Sequence, residues 1–187
     1  MRVIAGSARS MPLRTVRGMD VRPTTDRTKE TLFNILQTYI PGCRFLDLYA
    51  GTGSIGIEAL SRGASYACFV EKDRKIQKLI EENLTFTRLI DRASIMKGDV
   101  ALILMQLEGG EPFDIIFMDP PFRHGLEKDV LTYLSDSTLP AEDGLIVVEA
   151  DPRTDFSYLE SLGYEVIKHK IYSMSSHLFL RRRAVRK

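Results

Sequence analysis

The sequence predicts an α/β fold, a doubly wound and mostly parallel sheet of seven strands, with a small β arm at the N-terminus. Apolar segments of strand length alternate with amphipathic segments of helix length along most of the 187 residues. A glycine-rich turn follows the first strand of that alternation, and an Asp-Pro-Pro-Phe turn follows the fourth. Parallel sheets carry their ligand sites at strand ends, so both turns are candidate functional loops.

The N-terminal segment differs from the rest of the chain. Residues 2–5 and 13–16 are short β-like pieces separated by Gly, Ser and Pro, which predicts a hairpin-like arm over residues 1–22. The main domain then covers residues 23–187. Its first element is an amphipathic helix over 27–39, which polar capping residues precede.

Five strand–helix units follow this helix. The predicted pairs are strand 44–49 with helix 54–62, strand 66–71 with helix 73–87, strand 93–97 with helix 99–107, strand 114–118 with helix 126–135, and strand 145–149 with helix 155–161. Two further strand-like segments, 164–172 and 176–182, complete the seven. Such alternation predicts parallel strands with helices on both faces of the sheet.

The composition is that of a soluble globular protein, with 44% apolar and 27% charged residues. No apolar run reaches the ~20 residues of a membrane helix, and the N-terminus lacks the apolar core of a secretory signal. The only two cysteines, Cys43 and Cys68, lie far apart and form no metal-binding or redox pair. We therefore expect a cytoplasmic protein with reduced cysteines and with neither a membrane nor a metal as partner.

Basic residues are concentrated at the two ends of the chain. Residues 1–31 contain seven basic and three acidic residues, and residues 181–187 contain five basic residues and no acid. The intervening residues carry a net charge of −8. Ten of the twelve basic residues at the ends are Arg, which binds phosphate groups well. The distribution favours a nucleic-acid partner over the alternative of a solvated face and a frayed tail.

The glycine-rich turn after the first strand fits the pattern G-x-G-x-x-G from Gly51 to Gly56. Such a turn brings the backbone close to a ligand at a helix N-terminus, which also suits the pyrophosphate of a dinucleotide. Asp47 argues against that ligand, because a carboxylate at the strand end repels phosphate and attracts the ammonium and sulfonium of S-adenosylmethionine. A dinucleotide and a purely structural turn remain the alternatives.

Two further acids end the next strands. Glu71 follows Gly51 by 20 residues, where an acid hydrogen-bonds ribose hydroxyls of a bound nucleoside. Asp99 follows the third strand, where it can accept from an adenine amino group, with Val100 beside the ring. The alternative for Asp99 is a helix N-cap, and the two roles are compatible.

The Asp-Pro-Pro-Phe turn comprises Asp119, Pro120, Pro121 and Phe122. Two prolines make a stiff turn that offers carbonyl oxygens and one carboxylate but few donors. This set suits the amino group of a nucleobase, which can donate to Asp119 and to the Pro120 carbonyl while Phe122 stacks on the ring. A rigid strand-to-loop connection is the alternative. The expected strand order places this turn beside the glycine turn, at a crevice between the first and fourth strands.

These motifs resemble class I S-adenosylmethionine-dependent methyltransferases that act on exocyclic amines, and most specifically the bacterial RsmD family. The likeness rests on residues 2–6, 22–24, 26–27, 30–34 and 47–53, with Asp99 and residues 119–122. It implies methylation of guanine N2 in small-subunit (16S) ribosomal RNA, with the RNA or the assembling subunit as partner. It also implies a Rossmann-like sheet that ends in an antiparallel hairpin.

Site residues follow from the motifs and the resemblance together. The predicted catalytic residues are Asp119, Pro120, Pro121 and Phe122. The predicted cofactor-binding residues are Asp47, Tyr49, Ala50, Gly51, Gly53, Glu71, Asp99 and Val100, with Arg22 and Thr24 for the methionine carboxylate or a phosphate. The predicted RNA-contacting residues are Arg2, Arg9, Arg14, Arg17, Arg22 and Arg27. We expect a monomer. A DNA adenine-N6 methyltransferase, a non-catalytic RNA-binding assembly factor and a dehydrogenase remain open as other functions.

Overall fold

The computed structural model describes residues 1–15, 26–122 and 124–183. Its α-helices are α1 (Asp26–Leu36), α2 (Ser54–Ser61), α3 (Arg74–Phe86), α4 (Val100–Leu107) and α5 (Leu126–Asp136). Its strands are β1 (Arg44–Leu48), β2 (Tyr66–Glu71), β3 (Ala93–Lys97), β4 (Phe113–Met118), β5 (Pro140–Ala150), β6 (Tyr164–Ile171) and β7 (Ser176–Arg182).

All seven strands form one sheet in the order β3-β2-β1-β4-β5-β7-β6. β1 pairs in parallel with β2 on one side and with β4 on the other, so the strand order reverses between β1 and β4. β7 is antiparallel to both β5 and β6. The predicted Rossmann-like α/β fold is therefore confirmed, as is the terminal antiparallel hairpin that the family resemblance implied.

Two apolar clusters cover the two faces of the sheet. One cluster joins side chains of β1, β2, β4, β5 and β7 to helices α1, α2 and α3, with Phe45, Phe69, Phe117 and Phe179 among its members. The other joins the alternate residues of the same strands to α4 and α5, with Leu48, Val70, Met118 and Val148 among its members. Near-continuous apolar strands are expected where helices cover both faces. Within the described residues, no helix is long and apolar enough to cross a bilayer.

The N-terminal arm contains less strand structure than predicted. Its two β-like pieces form only a single antiparallel bridge, between Arg2 and Pro12. Gly6 and Ser10 adopt positive φ angles of 84° and 68°, which interrupts an extended chain. The backbone donors between them go elsewhere, because the arm bonds to helix side chains instead of to a second strand of its own.

Helices α1 and α2 supply the buried polar groups that hold the arm. The Glu58 carboxylate accepts from the backbone N–H of Ile4 at 2.8 Å and of Ala5 at 3.0 Å. Lys29 donates to the Arg2 carbonyl at 2.6 Å and lies 3.5 Å from Glu58. Ser61 donates to the Ala5 carbonyl at 2.6 Å. Both the Lys29 and the Glu58 side chains are at most 1% exposed, so the arm is fixed to the domain through its backbone.

The helix predicted over 155–161 is wrong. That segment contains only a 3-10 turn, Ser157–Leu159. The Asp155 carboxylate accepts from the Ser157 N–H at 2.9 Å, and Gly163 ends the segment with a φ of 76°. So few residues between these two points cannot offset the cost of starting an α-helix.

Candidate active site at the carboxyl edge of the sheet

The glycine turn joins β1 to the N-terminus of α2. Tyr49, Gly51 and Gly53 have positive φ angles of 62°, 52° and 76°, so the chain turns sharply here. At Gly56 an added Cβ would lie only 2.3 Å from the Phe69 ring. The glycines thus serve two purposes, since the first two allow the turn and the third lets α2 pack tightly against β2.

Asp47 lies beneath this turn and is only 1% exposed. One of its carboxylate oxygens accepts from the Gly56 N–H at 2.9 Å. Burial raises the pKa of Asp47 to about 7, the Gly56 hydrogen bond opposes that rise, and the charge of Glu71 adds to it. The carboxylate therefore orients the start of α2 and places a concealed acid under the predicted cofactor pocket.

Glu71 connects the turn after β1 to the turn after β2. One carboxylate oxygen accepts from the Gly51 N–H at 3.1 Å, and the other accepts from the Asp73 N–H at 2.9 Å. The Glu71 backbone carbonyl in turn accepts from the Gly98 N–H at 3.3 Å, next to the end of β3. Three successive loops of this edge are thereby held in fixed relative positions.

Asp99 caps α4, as the alternative interpretation of this residue proposed. Its side chain accepts from the Ala101 N–H at 3.0 Å, and Asp99 itself is exposed. Val100 is buried beside it. Burial and the nearby Asp99 raise the pKa of Tyr49 to about 12, so the Tyr49 hydroxyl stays protonated at neutral pH. Ala50 donates to the Val70 carbonyl at 2.9 Å, which fixes the turn to β2.

The Asp-Pro-Pro-Phe turn begins directly beyond β4. Asp119 and Phe122 are half-buried, Pro120 is buried and Pro121 is exposed. Because Leu48 of β1 pairs with Met118 of β4, the two turns start at the same level of neighbouring strands. Neighbouring strands lie about 4.8 Å apart. The glycine turn and the Asp-Pro-Pro-Phe turn are therefore adjacent, as the predicted strand order requires.

A buried acid–histidine pair near this turn was not predicted. Glu149 at the end of β5 and His177 of β7 occupy paired positions, and their side chains meet at 3.1 Å. The Tyr172 hydroxyl lies 3.4 Å from the other ring nitrogen of His177. Since Val148 pairs with Met118, Glu149 is one position from the strand end that carries Asp119. Only the alternation of β7 could have signalled this, because it puts His177 on the same inward face as Phe179.

The predicted RNA-contacting residues have two outcomes. Arg2, Arg9, Arg14 and Arg27 are exposed, with Arg2 paired to Asp26 at 3.1 Å and Arg14 to Glu82 at 2.8 Å. The remaining predicted contacts lie outside the described residues: Arg17, Arg22 and Thr24. In the part of the chain that the structure describes, no cluster of His, Cys, Asp and Glu could hold a metal ion.

Comparison with known proteins identifies the family. The family model described as Conserved hypothetical protein 95 matches residues 1–181. The "Ribosomal RNA small subunit methyltransferase D" of Escherichia coli K12 is 38% identical over 151 residues, which are 81% of this chain and 75% of that protein. The chain belongs to the RsmD-like methyltransferase family.

Other RsmD-like proteins extend the match over almost the full length. The Haemophilus influenzae "Ribosomal RNA small subunit methyltransferase D" is 36% identical over 178 residues, 95% of this chain and 91% of that protein. The solved structure of the Escherichia coli protein yhhF superposes with a TM-score of 0.87 at 33% identity and covers 99% of both chains. The family resemblance drawn from the sequence motifs is thus confirmed.

Proposed function

We propose that this protein transfers a methyl group from S-adenosylmethionine to the exocyclic N2 of a guanine in small-subunit (16S) ribosomal RNA. The observation that carries the proposal is the adjacency of the two turns, which start at paired positions of β1 and β4. A donor pocket and an acceptor turn so close together suit a direct transfer between two bound molecules. RsmD-like relatives named as ribosomal RNA small subunit methyltransferases support the same activity.

The acidic character of the edge favours S-adenosylmethionine over a dinucleotide. Asp47, Glu71 and Asp99 follow or end three successive strands, and no basic residue occurs between Asp47 and Glu58. Such a pocket repels a pyrophosphate and attracts a cation. The cofactor supplies a methyl carbon bonded to a cationic sulfur. The protein holds it with the turn from Asp47 through Gly53, with Glu71 on the ribose, and with Asp99 and Val100 on the adenine.

The acceptor turn activates a weak nucleophile. The amino nitrogen of guanine donates its lone pair into the ring, so it attacks carbon poorly until that conjugation is reduced. Acceptors at Asp119 and at the Pro120 carbonyl hold its two N–H bonds and favour a tetrahedral nitrogen. Asp119 then takes the proton that the nitrogen releases once it has become cationic. Phe122 stacks on the base, and Pro121 stiffens the turn.

The N-terminal arm is the proposed RNA-contacting part, over residues 1–22, and residues 23–187 form the methyltransferase domain. Exposed arginines at positions 2, 9 and 14 of the arm, and Arg27 at the start of α1, support this division. Arginine binds phosphate through a planar set of donors, which suits an RNA backbone. Arg17 and Arg22 belong to the same proposed set, and Arg22 with Thr24 to the proposed cofactor contacts.

Identification of the methylated nucleoside tests this function. The protein is incubated with S-adenosylmethionine labelled on the methyl group and, separately, with small ribosomal subunits, free 16S RNA and DNA. The product is digested to nucleosides and separated by chromatography. Label in N2-methylguanosine from the subunit or the RNA is the expected result. Label in N6-methyladenosine from DNA would establish the adenine-specific alternative, and no label in any substrate would reject the enzyme.

A further inference from the structure

A groove of about 580 Å³ runs between α3 and β3, away from the two turns. Its lining comprises Arg74, Gln77, Lys78, Glu81, Ile90, Ala93, Ile95 and Lys97. In the described part of the chain β3 is an edge strand, since it pairs with β2 alone. The groove therefore lies along an open side of the sheet and is accessible over its whole length.

The rim of this groove is cationic. Arg74, Lys78 and Lys97 are exposed, and Glu81 is the one acid among the residues that line it. Across residues 1–15, 26–122 and 124–183, none of these three cations forms an ion pair. By contrast, Arg14 farther along the same helix face is paired with Glu82. Three unpaired cations around one concave surface attract a polyanion.

The floor of the groove is apolar. Ile90, Ala93 and Ile95 are half-buried beneath the cationic rim. Arg74 and Lys78 are one helical turn apart on α3, about 6 Å along its axis. A linear molecule with regularly spaced negative charges and flat apolar groups matches this combination, and a single strand of nucleic acid has both.

The groove is connected to both parts of the proposed functional surface. At one end Lys97 pairs in register with Glu71, at the edge that carries the cofactor turn. At the other end of α3, Asn83 accepts from the Arg14 N–H at 2.8 Å and donates to the Arg14 carbonyl at 3.2 Å. The arm and the groove thus share one helix.

We infer that the α3–β3 groove binds an RNA strand of the substrate, with its phosphates on Arg74, Lys78 and Lys97. This inference rests on the proposed function and extends it, because it adds a contact surface beyond the arm and the acceptor turn. A peptide that adds a strand to β3, or a second copy of the chain, would occupy the same edge. Neither has a reason to require three cations, so the charge favours RNA.

A matched pair of double variants tests the groove. Lys78→Gln with Lys97→Gln removes two groove charges. Lys168→Gln with Lys170→Gln removes two exposed lysines from β6, at the opposite edge of the sheet. Binding of a fluorescein-labelled poly(U) oligonucleotide and of a 16S RNA transcript is measured by anisotropy over a series of salt concentrations. Titration of S-adenosylmethionine shows that each variant is folded.

The groove variant is expected to bind both RNAs more weakly and to lose about 1.4 from the slope of log affinity against log salt, for two contacts with a single strand. The β6 variant is expected to keep the wild-type slope. Equal slopes in the wild type and the groove variant, equal losses in both variants, or a groove variant that changes only the oligomeric state would each overturn the inference. Methyl transfer is measured separately, so a wild type that binds RNA without methylating it would reject the reaction alone.

Discussion

Replacing Glu58 with Gln should destabilise the protein strongly, although the two side chains have nearly the same shape. The Glu58 carboxylate accepts from Ile4 at 2.8 Å, from Ala5 at 3.0 Å and from Arg62 Nε at 2.7 Å, and it lies 3.5 Å from the Lys29 ammonium. A glutamine keeps one acceptor oxygen and directs its NH₂ group at donors. The substitution also leaves the Lys29 charge buried without its partner.

Loss of one member of a buried pair costs about 3–5 kcal/mol. Total stabilities of domains are only about 5–15 kcal/mol, so the midpoint of urea unfolding should fall markedly. Burial also holds the pKa of Lys29 below its ordinary value of 10.5, and the charge of Glu58 opposes that shift. Without Glu58 the pKa of Lys29 should fall further.

The appropriate assay is equilibrium urea unfolding of the wild type, Glu58→Gln, Lys29→Met and the double variant. A double-mutant cycle then separates the coupling between the two side chains from their separate effects. The double variant should recover part of the loss, because it contains no uncompensated buried charge. A Glu58→Gln variant within about 1 kcal/mol of the wild type would refute the reasoning.

Three further predictions concern the candidate site. Asp47→Asn should stabilise the fold at pH 7 and weaken S-adenosylmethionine binding: because the pKa of Asp47 is raised from 3.8 to about 7, its favourable contribution is complete below 3.8 and lost as pH rises through 7. Unfolding measured between pH 4 and 7 should show a flatter profile in the variant, and an unchanged profile would contradict the assigned pKa. Asp119→Ala should leave cofactor binding nearly intact and reduce single-turnover methylation by about 10²-fold or more, and equal rates would reject its role. Gly56→Ala should cost about 1–3 kcal/mol from the clash with Phe69, less about 1 kcal/mol gained in helix propensity. A thermal midpoint above that of the wild type would show that α2 can shift without strain.

The parallel sheet was predictable because its signals are local. Strand and helix periods alternate cleanly from Arg44 to Ala150, and Gly51 and Pro120 mark the turns that follow β1 and β4. The strand order then follows from general rules for doubly wound folds. The 3-10 turn at Ser157–Leu159 was missed because its apolar spacing resembles a helix, while the Asp155 side-chain bond and Gly163 limit its length.

The buried polar contacts were not predictable in the same way. Nothing in the spacing of Lys29, Glu58 and Asn83 distinguishes them from the solvent-facing polar residues of amphipathic helices. Their partners are 27 to 69 residues away along the chain, so only the folded arrangement reveals them. The Glu149–His177 pair is a similar case, since two charged-type residues within apolar strands gave no signal of their mutual contact.

The way the arm is attached has a practical consequence for mutagenesis. Lys29 and Glu58 grip main-chain atoms of Arg2, Ile4 and Ala5, and these atoms are the same whichever amino acid occupies those positions. Alanine scanning along this stretch would therefore leave the attachment in place and report only on what the side chains touch. Truncation, in contrast, would strip two concealed charges of their ligands and damage the whole domain, so a loss of activity after clipping the first residues would say nothing about substrate recognition.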